Sequence, residues 1–478
     1  MKRWLFLAHR WLGLAGCLLI LLWFASGFVM MYVPYPELTD DERLPALKPL
    51  DVHAIKAFPS DAAAACGAAD VLRLRALQPA AQPIFAVLCS GEAWRAIDAR
   101  DGAPVRVDAQ AAARAAEQYG GAPSTGARLI DQDQWSISTS LHPHRPLWRV
   151  EVAGGGVHYV SSRTGEVVRD TSRMERGWNW VGAVVHWLYP TVLRSRSELW
   201  HWTVVGLSAY ALFTAILGTV IGVLRWRRYA SGRRTPYRGW MMWHHMAGLG
   251  TAVFVLAWLL SGLLSMNPGG VFSVGRLPPT PLNTFTAGAS RVPHGAAGAK
   301  EIEWIRDGEG VLTWVRRSST DSELRRGDQP VAVNEAYVRR RVSGLGFGAP
   351  STVERLDELD LYYHARNASR PLPVWRVRFA DPQATWVHVD GRSGQVFSVV
   401  DRSKRVARWL YHGLHSWDFQ FLLQHRPLWN VLMLAAMAAG FFFSVTSVVV
   451  AWRRLTRRRP AARAASPILS PQEQQPCL

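Results

Sequence analysis

The sequence has few cysteines and lacks the short motifs that mark several common enzyme classes. Four cysteines in 478 residues are too few for a disulfide-rich scaffold. No HExxH, CxxCH, GxSxG or P-loop motif occurs in a convincing context, which argues against zinc proteases, c-type haem attachment, serine hydrolases and nucleotide-binding loops. The glycine-rich segment 344–348 lacks the strand and helix that flank a dinucleotide site.

Carboxylates are also in the minority. The chain has 55 lysine and arginine residues against 36 aspartate and glutamate residues, a formal net charge of +19. The basic residues crowd three short stretches beside long apolar runs, at 2–10, 225–238 and 453–463. This distribution is typical of the cytoplasmic loops of a membrane protein, so it predicts a lipid bilayer as partner and no nucleic acid.

Four apolar runs are long enough to cross the hydrocarbon core of a bilayer. They cover residues 11–33, 199–224, 240–266 and 428–452. The first run is too long for the apolar core of a cleaved signal peptide. Together with the basic stretches, the runs predict a multi-pass membrane protein whose two termini and 225–239 loop are cytoplasmic.

The chain also contains an internal duplication. Residues of the same type recur 229 positions apart at Arg176/Arg405, Trp180/Trp409, His186/His415 and Trp200/Trp429, and 235 positions apart at His9/His244, Ser26-Gly27/Ser261-Gly262 and Met31/Met266. Each copy of the repeated unit therefore has a histidine near both ends of its apolar segments.

Between the apolar runs, two segments have the composition of soluble α+β domains, and in each we predict a capped helix followed by strands. These elements fall at 108–119, 147–152, 157–161 and 166–169 in the first segment and at 334–341, 374–379 and 385–389 in the second. The predicted fold class is an all-α four-helix transmembrane bundle with two periplasmic α+β domains and an internal duplication.

The chain divides accordingly. The predicted segments are transmembrane helix one (1–36), a first periplasmic domain (37–175), an interfacial segment with helix two (176–224), a cytoplasmic loop (225–239), helix three (240–266), a second periplasmic domain (267–403), an interfacial segment with helix four (404–452) and a cytoplasmic tail (453–478). A Pro/Thr-rich linker is expected at 278–289, and the tail from 457 has a disordered composition.

The duplicated histidines are candidate metal ligands, because ionisable side chains at membrane depth are costly and mark functional sites. A pseudo-twofold axis along the membrane normal would bring His9 to His244 (the first pair) and His186 to His415 (the second pair). That geometry is the one needed for bis-histidine ligation of haem iron. His9 precedes Ser26 by 17 residues, about 25 Å along a helix. The pattern therefore predicts two haems, one near each face of the bilayer.

Neighbouring residues leave alternatives open. His245, His201 and His412 are further candidate iron ligands, although none has a histidine partner in the other copy. Arg176 and Arg405 are candidate partners for haem propionates, because guanidinium groups pair well with carboxylates. The competing interpretation is that these two arginines are solvated at the membrane interface.

The other repeated residues have simpler interpretations. Met31 and Met266 belong to a known axial-ligand type, but apolar packing also explains them. The two Ser-Gly pairs are interpreted as small residues that allow close helix packing. Trp180, Trp200, Trp409 and Trp429 fit an interfacial aromatic belt.

Two cysteines fall in the first outside domain. On the predicted topology, Cys66 and Cys89 lie in an oxidising compartment, where disulfides persist. A disulfide between them and a pair of buried thiols are both compatible with the sequence. Cys17 lies within the first apolar run and Cys477 within the tail.

These motifs resemble the PepSY-associated transmembrane family. The opening motif of that family is similar to the six residues from His9, its soluble modules have a turn like those at 160–168 and 389–397, and its later helices follow a His-x-x-His stretch like 412–415. The resemblance covers nearly the whole chain apart from the linker and the tail. The first copy departs from it, with Ala183 where the second has His412.

The resemblance implies a haem-binding siderophore reductase of the bacterial inner membrane. With the paired histidines, it predicts a haem-dependent oxidoreductase, a metal reductase, that holds two haem b groups. Electrons would pass from an unidentified cytoplasmic or membrane donor to a ferric siderophore in the periplasm. A flavin or nicotinamide would belong to that donor. The rival prediction is a non-enzymatic PepSY membrane sensor or a peptidase-regulating protein.

Overall fold

The computed structural model describes residues 2–67, 69–91, 93–273, 292–307, 309–363 and 370–456. The helices are α1 (Lys2–Met30), α2 (Asp40–Ala46), α3 (Pro59–Ala64), α4 (Ala109–Gly120), α5 (Arg173–Asn179), α6 (Thr191–Arg194), α7 (Ser197–Arg225), α8 (Gly239–Ser265), α9 (Glu335–Ser343), α10 (Arg402–Arg408), α11 (Leu414–Ser416), α12 (Gln420–Gln424) and α13 (Arg426–Thr456). The predicted linker at 278–289, the tail from 457 and Cys477 lie outside these residues.

The strands form three antiparallel sheets. They are β1 (Val71–Leu77), β2 (Ile84–Cys89), β3 (Trp94–Asp98), β4 (Ser124–Ile130), β5 (Leu147–Val152), β6 (Val157–Ser161), β7 (Val167–Thr171), β8 (Glu301–Asp307), β9 (Gly310–Arg316), β10 (Ser322–Arg326), β11 (Gln329–Pro330), β12 (Pro350–Leu356), β13 (Val374–Phe379), β14 (Trp386–Asp390) and β15 (Val396–Val400). The four long apolar helices and the separate sheet regions confirm the predicted combination of a helical bundle with sheet-containing segments. The term all-α applies to the bundle alone and is wrong for the chain.

The four long helices α1, α7, α8 and α13 are each apolar and long enough to span a membrane. Each packs against two of the others, so that the order around the bundle is α1, α7, α8, α13. The duplicated helices α1 and α8 therefore face each other across the bundle, as do α7 and α13. This arrangement is that of a pseudo-twofold axis running along the bundle, as the repeat predicted.

Two of the sheets repeat one module. Each is a four-stranded meander, β4 to β7 and β12 to β15 in order, and each follows a helix with a capped N-terminus. The side chain of Asp108 accepts a hydrogen bond from the Ala111 amide, and the side chain of Asn334 accepts one from the Tyr337 amide. The predicted capped helices and the strands at 147–152, 157–161 and 374–379 are thus confirmed.

The third sheet joins the two halves of the chain. Its strand order is β11-β10-β9-β8-β1-β2-β3, and the central strands β1 and β8 pair antiparallel between Leu74–Leu77 and Glu301–Trp304. The first three strands of the first outside segment and the first four of the second therefore form one sheet together. The predicted organisation has separate domains and none of these strands, and the β1–β8 pairing that joins them connects residues more than 200 positions apart.

The cysteines divide into a bonded pair and a buried thiol. Cys66 and Cys89 are joined by a disulfide, and both are buried in the core between the joint sheet and α3. Of the two alternatives that the sequence left open, the structure has the disulfide. Cys17 is a free thiol buried in α1.

Candidate functional site

The first pair of histidines meets inside the bundle. His9 lies on α1 and His244 on α8, the two helices that face each other across the axis. Their ring centroids are 6.4 Å apart, and their planes are inclined by 26°. The predicted juxtaposition of residues 235 positions apart is therefore present.

The second pair meets at the end of the bundle that carries the sheets. His186 precedes α7 and His415 lies on α11, which precedes α13. Their ring centroids are 6.3 Å apart, with the planes inclined by 79°. The two pairs thus share the same separation and differ in the relative orientation of their rings.

The backbone around the second pair is unusual in the same way in both copies. A π-helical turn, with its wider i to i+5 bonding, spans Trp180–Val184 before His186 and Trp409–Gly413 before His415. Two residues beyond each histidine, Leu188 and Trp417 have left-handed φ values of 51° and 52°. Both features are costly for residues other than glycine and cluster at functional sites. Their recurrence 229 positions apart ties them to the histidines.

Each of the four imidazoles uses Nδ1 for a hydrogen bond. His9 Nδ1 lies 3.1 Å from the Thr214 carbonyl oxygen, and His244 Nδ1 lies 3.2 Å from the Ser447 hydroxyl. At the second pair, Nδ1 of His186 is 3.0 Å from the Ser26 hydroxyl, and Nδ1 of His415 is 3.0 Å from the Ser261 hydroxyl.

These partners bear on which imidazole nitrogen carries the proton. A carbonyl only accepts, so His9 donates from Nδ1. The hydroxyls of Ser26, Ser261 and Ser447 each lie within hydrogen-bond distance of a carbonyl of their own helix, so each can give its proton to that carbonyl and accept from its histidine. A ring that binds a metal through Nε2 carries its proton on Nδ1, and all four partners can accept it there.

The separation of the rings fits a shared iron. Metal–imidazole bonds are about 2 Å long, and two of them in line place the ring centres about 6 Å apart once the rings themselves are counted. Both observed separations, 6.4 and 6.3 Å, agree with that value. A haem iron takes at most two ligands from the protein, because the porphyrin brings the other four nitrogen ligands, so one pair of imidazoles would be sufficient to hold it.

The spacing along the bundle follows from the same contacts. Ser26 is bonded to His186 and follows His9 by 17 residues on the continuous helix α1. Ser261 stands in the same relation to His244 on α8. A rise of 1.5 Å per residue puts the two levels about 25 Å apart. The pairs therefore lie towards opposite ends of the spanning bundle.

Of the alternative ligands, His245 is fully used by the fold. Its Nδ1 is 2.8 Å from the Thr235 hydroxyl, and its Nε2 is 2.9 Å from the Gly222 carbonyl oxygen. His245 thus fastens the 225–238 loop to the end of α7. His201 packs edge-on against Trp202 in the first turn of α7. His412 lies 3.7 Å from the carboxylate of Asp418.

The arginines proposed for propionates are bonded to the sheets. Arg176 donates to the carbonyl oxygens of Thr171 and Gly155. Arg405 donates to the carbonyl oxygen of Val400, which lies 229 positions beyond Thr171. Both therefore tie the helix after a meander to its last strand. These contacts give the two arginines a structural role in the described chain and add nothing to the propionate prediction.

The role of the small residues was only partly anticipated. A side chain at Gly27 would come within 3.0 Å of Met437, whereas Gly262 has no neighbour within 4 Å of that position. Close packing therefore explains Gly27 alone. The serines beside them bond the histidines, and the signal that could have revealed this was already present, since Ser26 and Ser261 recur together with His9 and His244.

The methionine and tryptophan predictions had mixed outcomes. Met31 packs against a buried apolar cluster that includes Trp429 and Met433, which agrees with apolar packing. Trp180 and Trp409 are exposed, as expected for an aromatic belt. Trp429 is buried, and its Nε1 donates to the Ser416 carbonyl oxygen. The belt prediction is therefore wrong for Trp429.

Among the described residues, no group of three or more His, Cys, Asp or Glu side chains could hold a metal ion. Comparison with known proteins gives one family. The chain matches the model described as the PepSY-associated TM region over residues 6–329, a range that includes His9, His186 and His244. No curated protein matches the chain. Because the match covers more than half of its length, this protein belongs to the PepSY-associated transmembrane family.

Proposed function

We propose that this protein is a di-haem electron-transfer protein of the bacterial inner membrane that reduces ferric siderophores in the periplasm during iron uptake. The observation that carries the proposal is the pair of imidazole couples about 6 Å across, one near each end of a membrane-spanning bundle. When bound, haem supplies a one-electron Fe(III)/Fe(II) couple. The siderophore as substrate rests on the family resemblance.

The chain's own residues would do the rest. His9 and His244 would hold one haem and His186 and His415 the other, each through an unprotonated Nε2. Thr214, Ser447, Ser26 and Ser261 keep the rings in that tautomer by accepting from Nδ1. The apolar bundle excludes water and so favours low-charge states of a bound group.

The orientation follows from charge. The basic residues at the start of α1, in the 225–238 loop and at the end of α13 would face the cytoplasm, and the sheets would face the periplasm. The Cys66–Cys89 disulfide in the sheet region supports this orientation, since disulfides persist in oxidising compartments. A topology reporter inserted near Gly232 or after Leu478 should report cytoplasm, and one near Asp101 or Asp321 should report periplasm. A periplasmic signal at Gly232 would reverse the assignment.

The direct test is the absorption spectrum and haem content of the purified protein. The parent should show a Soret band and about two haems per chain by pyridine haemochrome. His415→Ala should lose the haem of the second pair and His244→Ala that of the first, leaving about one each. His201→Ala and His412→Ala are matched controls and should retain both. His415→Ala should also abolish reduction of a ferric chelate added outside.

The outcomes separate this function from its rival. A colourless protein would support the non-enzymatic sensor or peptidase regulator. Full haem content in both His415→Ala and His244→Ala would refute the paired-ligand assignment. Loss of haem only in His201→Ala or His412→Ala would move the ligands to those residues and break the symmetry of the repeat.

A further inference from the structure

The two histidine pairs are held by different kinds of group. At the first pair, one ring is bonded to a backbone carbonyl and the other to side-chain hydroxyls. At the second pair, both rings are bonded to serine hydroxyls that occupy equivalent positions in the two copies, each at 3.0 Å. At the second pair, therefore, the hydrogen-bond partners of the two rings are equivalent residues of the two copies.

Both serines are shielded and already bonded to their own helices. Ser26 is 1% exposed and Ser261 is fully buried. The Ser26 hydroxyl donates to the Leu22 carbonyl oxygen at 2.7 Å, and that of Ser261 donates to the Trp258 carbonyl oxygen at 3.1 Å. A hydroxyl that gives its proton to a backbone carbonyl can only accept from the histidine. A histidine bound to iron through Nε2 requires this arrangement, because its own proton is then on Nδ1.

Such an acceptor does two things to an imidazole ligand. It fixes the ring in one orientation and one tautomer, and it draws the Nδ1 proton away from the ring, which makes Nε2 a stronger electron donor. A stronger donor stabilises ferric over ferrous iron and lowers the reduction potential. The same contact also satisfies an N–H that burial would otherwise leave unpaired.

We infer that Ser26 and Ser261 are positioning residues that set the tautomer of the second pair and hold the reduction potential of its haem low, as a donor of electrons to a ferric chelate requires. This inference rests on the proposed function. The role is specific to the haem of the second pair. Among the hydrogen bonds of the described chain, neither serine is bonded to His9 or His244.

The test is a potentiometric titration of Ser26→Ala and Ser261→Ala in the full chain, alone and with His244→Ala to isolate the haem of the second pair. Each alanine variant should shift that haem to a more positive potential and weaken its retention about 10- to 100-fold, while the first haem stays unchanged. Ser26→Thr keeps a hydroxyl and should restore the parent potential. Ser444→Ala is the matched control, because Ser444 is buried and donates back to the Gly440 carbonyl oxygen, and the hydrogen bonds of the described residues include none from Ser444 to the four histidines.

The outcomes are separable from those of the proposed function. Haem absent from the parent refutes the proposed function. Two haems in the parent, with Ser26→Ala and Ser261→Ala titrating and retaining haem like Ser444→Ala, refute the positioning role while leaving the function intact. Equal shifts in the reduction potential of both haems also overturn the positioning role, since a general loosening of the bundle would then be the cause.

Discussion

At the scale of single residues, the first pair shows how the two copies have diverged around one ring. Ser447, which accepts from His244, is 229 positions beyond Gly218. A side-chain carbon at Gly218 would lie 2.6 Å from the ring of His9, so glycine is needed there. His9 consequently bonds to the backbone carbonyl of Thr214.

Gly218→Ala should therefore displace the His9 ring and lose the haem of the first pair while retaining that of the second. The added carbon would stand well inside van der Waals contact, and the ring is also held by its bond to Thr214. Haem content per chain is the measurement, with a fall from about two to about one expected. Gly206→Ala is the control on the same helix, since a side chain there has no neighbour within 4 Å. Unchanged haem in Gly218→Ala would show that the ring can move aside.

A second residue-scale difference lies in the meanders. His388 is fully buried, with Arg376 donating to its Nε2 at 2.9 Å and Ser398 at its Nδ1. Arg376 also makes two hydrogen bonds to Asp360. Burial, and then the charge of Arg376, lower the pKa of His388 to about 3. The equivalent residue of the other copy is Tyr159.

This buried histidine should make the protein less stable in acid. Its pKa is about 6.5 when unfolded and about 3 when folded, so the unfolded chain binds more protons between these values. Its contribution to stability is complete above pH 6.5 and declines as the pH falls towards 3. The apparent unfolding temperature should therefore fall less between pH 7 and 4.5 in His388→Tyr than in the parent. His294→Gln, at a histidine whose side chain is 94% exposed, should follow the parent, and an equal slope in all three proteins would contradict the assignment.

At the scale of elements, the segments before α7 and α13 are shaped to present a histidine. In each segment a π-helical turn precedes the histidine, and a left-handed residue follows it two positions later. A left-handed conformation costs about 1–2 kcal/mol for a residue with a side chain and nothing for glycine. The geometry at Leu188 and Trp417 is thus maintained by the packing around it.

Leu188→Gly and Leu188→Val test whether that geometry holds His186 in place. Glycine adopts a φ of 51° without strain, whereas a β-branched residue resists it. We expect Leu188→Gly to retain the haem of the second pair and Leu188→Val to lose part of it or bind it with a shifted Soret band. Identical spectra for the two variants would mean that the turn tolerates either conformation.

At the scale of the whole molecule, the two halves share a sheet and a buried charge. Glu301 on β8 is fully buried and bonds Arg43 and Arg75 from the first half and Arg316 from the second. These guanidinium groups hold the pKa of its carboxyl well below the usual range against the effect of burial. One carboxylate thus forms ion pairs with arginines from both halves of the duplicated chain.

Glu301→Gln should accordingly destabilise the region outside the bundle as a unit. Removing one partner from a buried ionic cluster typically costs about 3–5 kcal/mol, because the remaining charges stay buried. A lower apparent unfolding temperature of the purified protein is expected. Glu309→Gln removes a half-exposed glutamate that also pairs with arginines and should change little. If both variants unfold like the parent, the cluster is not needed to join the halves.

Features formed by residues close together in the chain could be predicted from the sequence, and most of those formed by distant residues could not. Apolar runs and caps are local, so three of the four long helices and the helix after Asp108 could be placed within four residues, whereas α1 begins nine residues before the apolar run at 11–33. The pairing of His9 with His244 was also accessible, because duplication implies a twofold relation without any knowledge of packing. The β1–β8 pairing was not, since strands of ordinary composition give no sign of a partner in the other half.

The sequence by itself therefore determined the number of spanning helices, the duplication and the four paired histidines. The tertiary structure decided that both ring nitrogens of His245 are bonded within the fold, that Ser26 and Ser261 bond the second pair, and that one sheet and one buried glutamate join the halves. The physical reason is that hydropathy and repeats are properties of the chain order. Hydrogen-bond direction, burial and strand pairing depend on which atoms meet once the chain has folded.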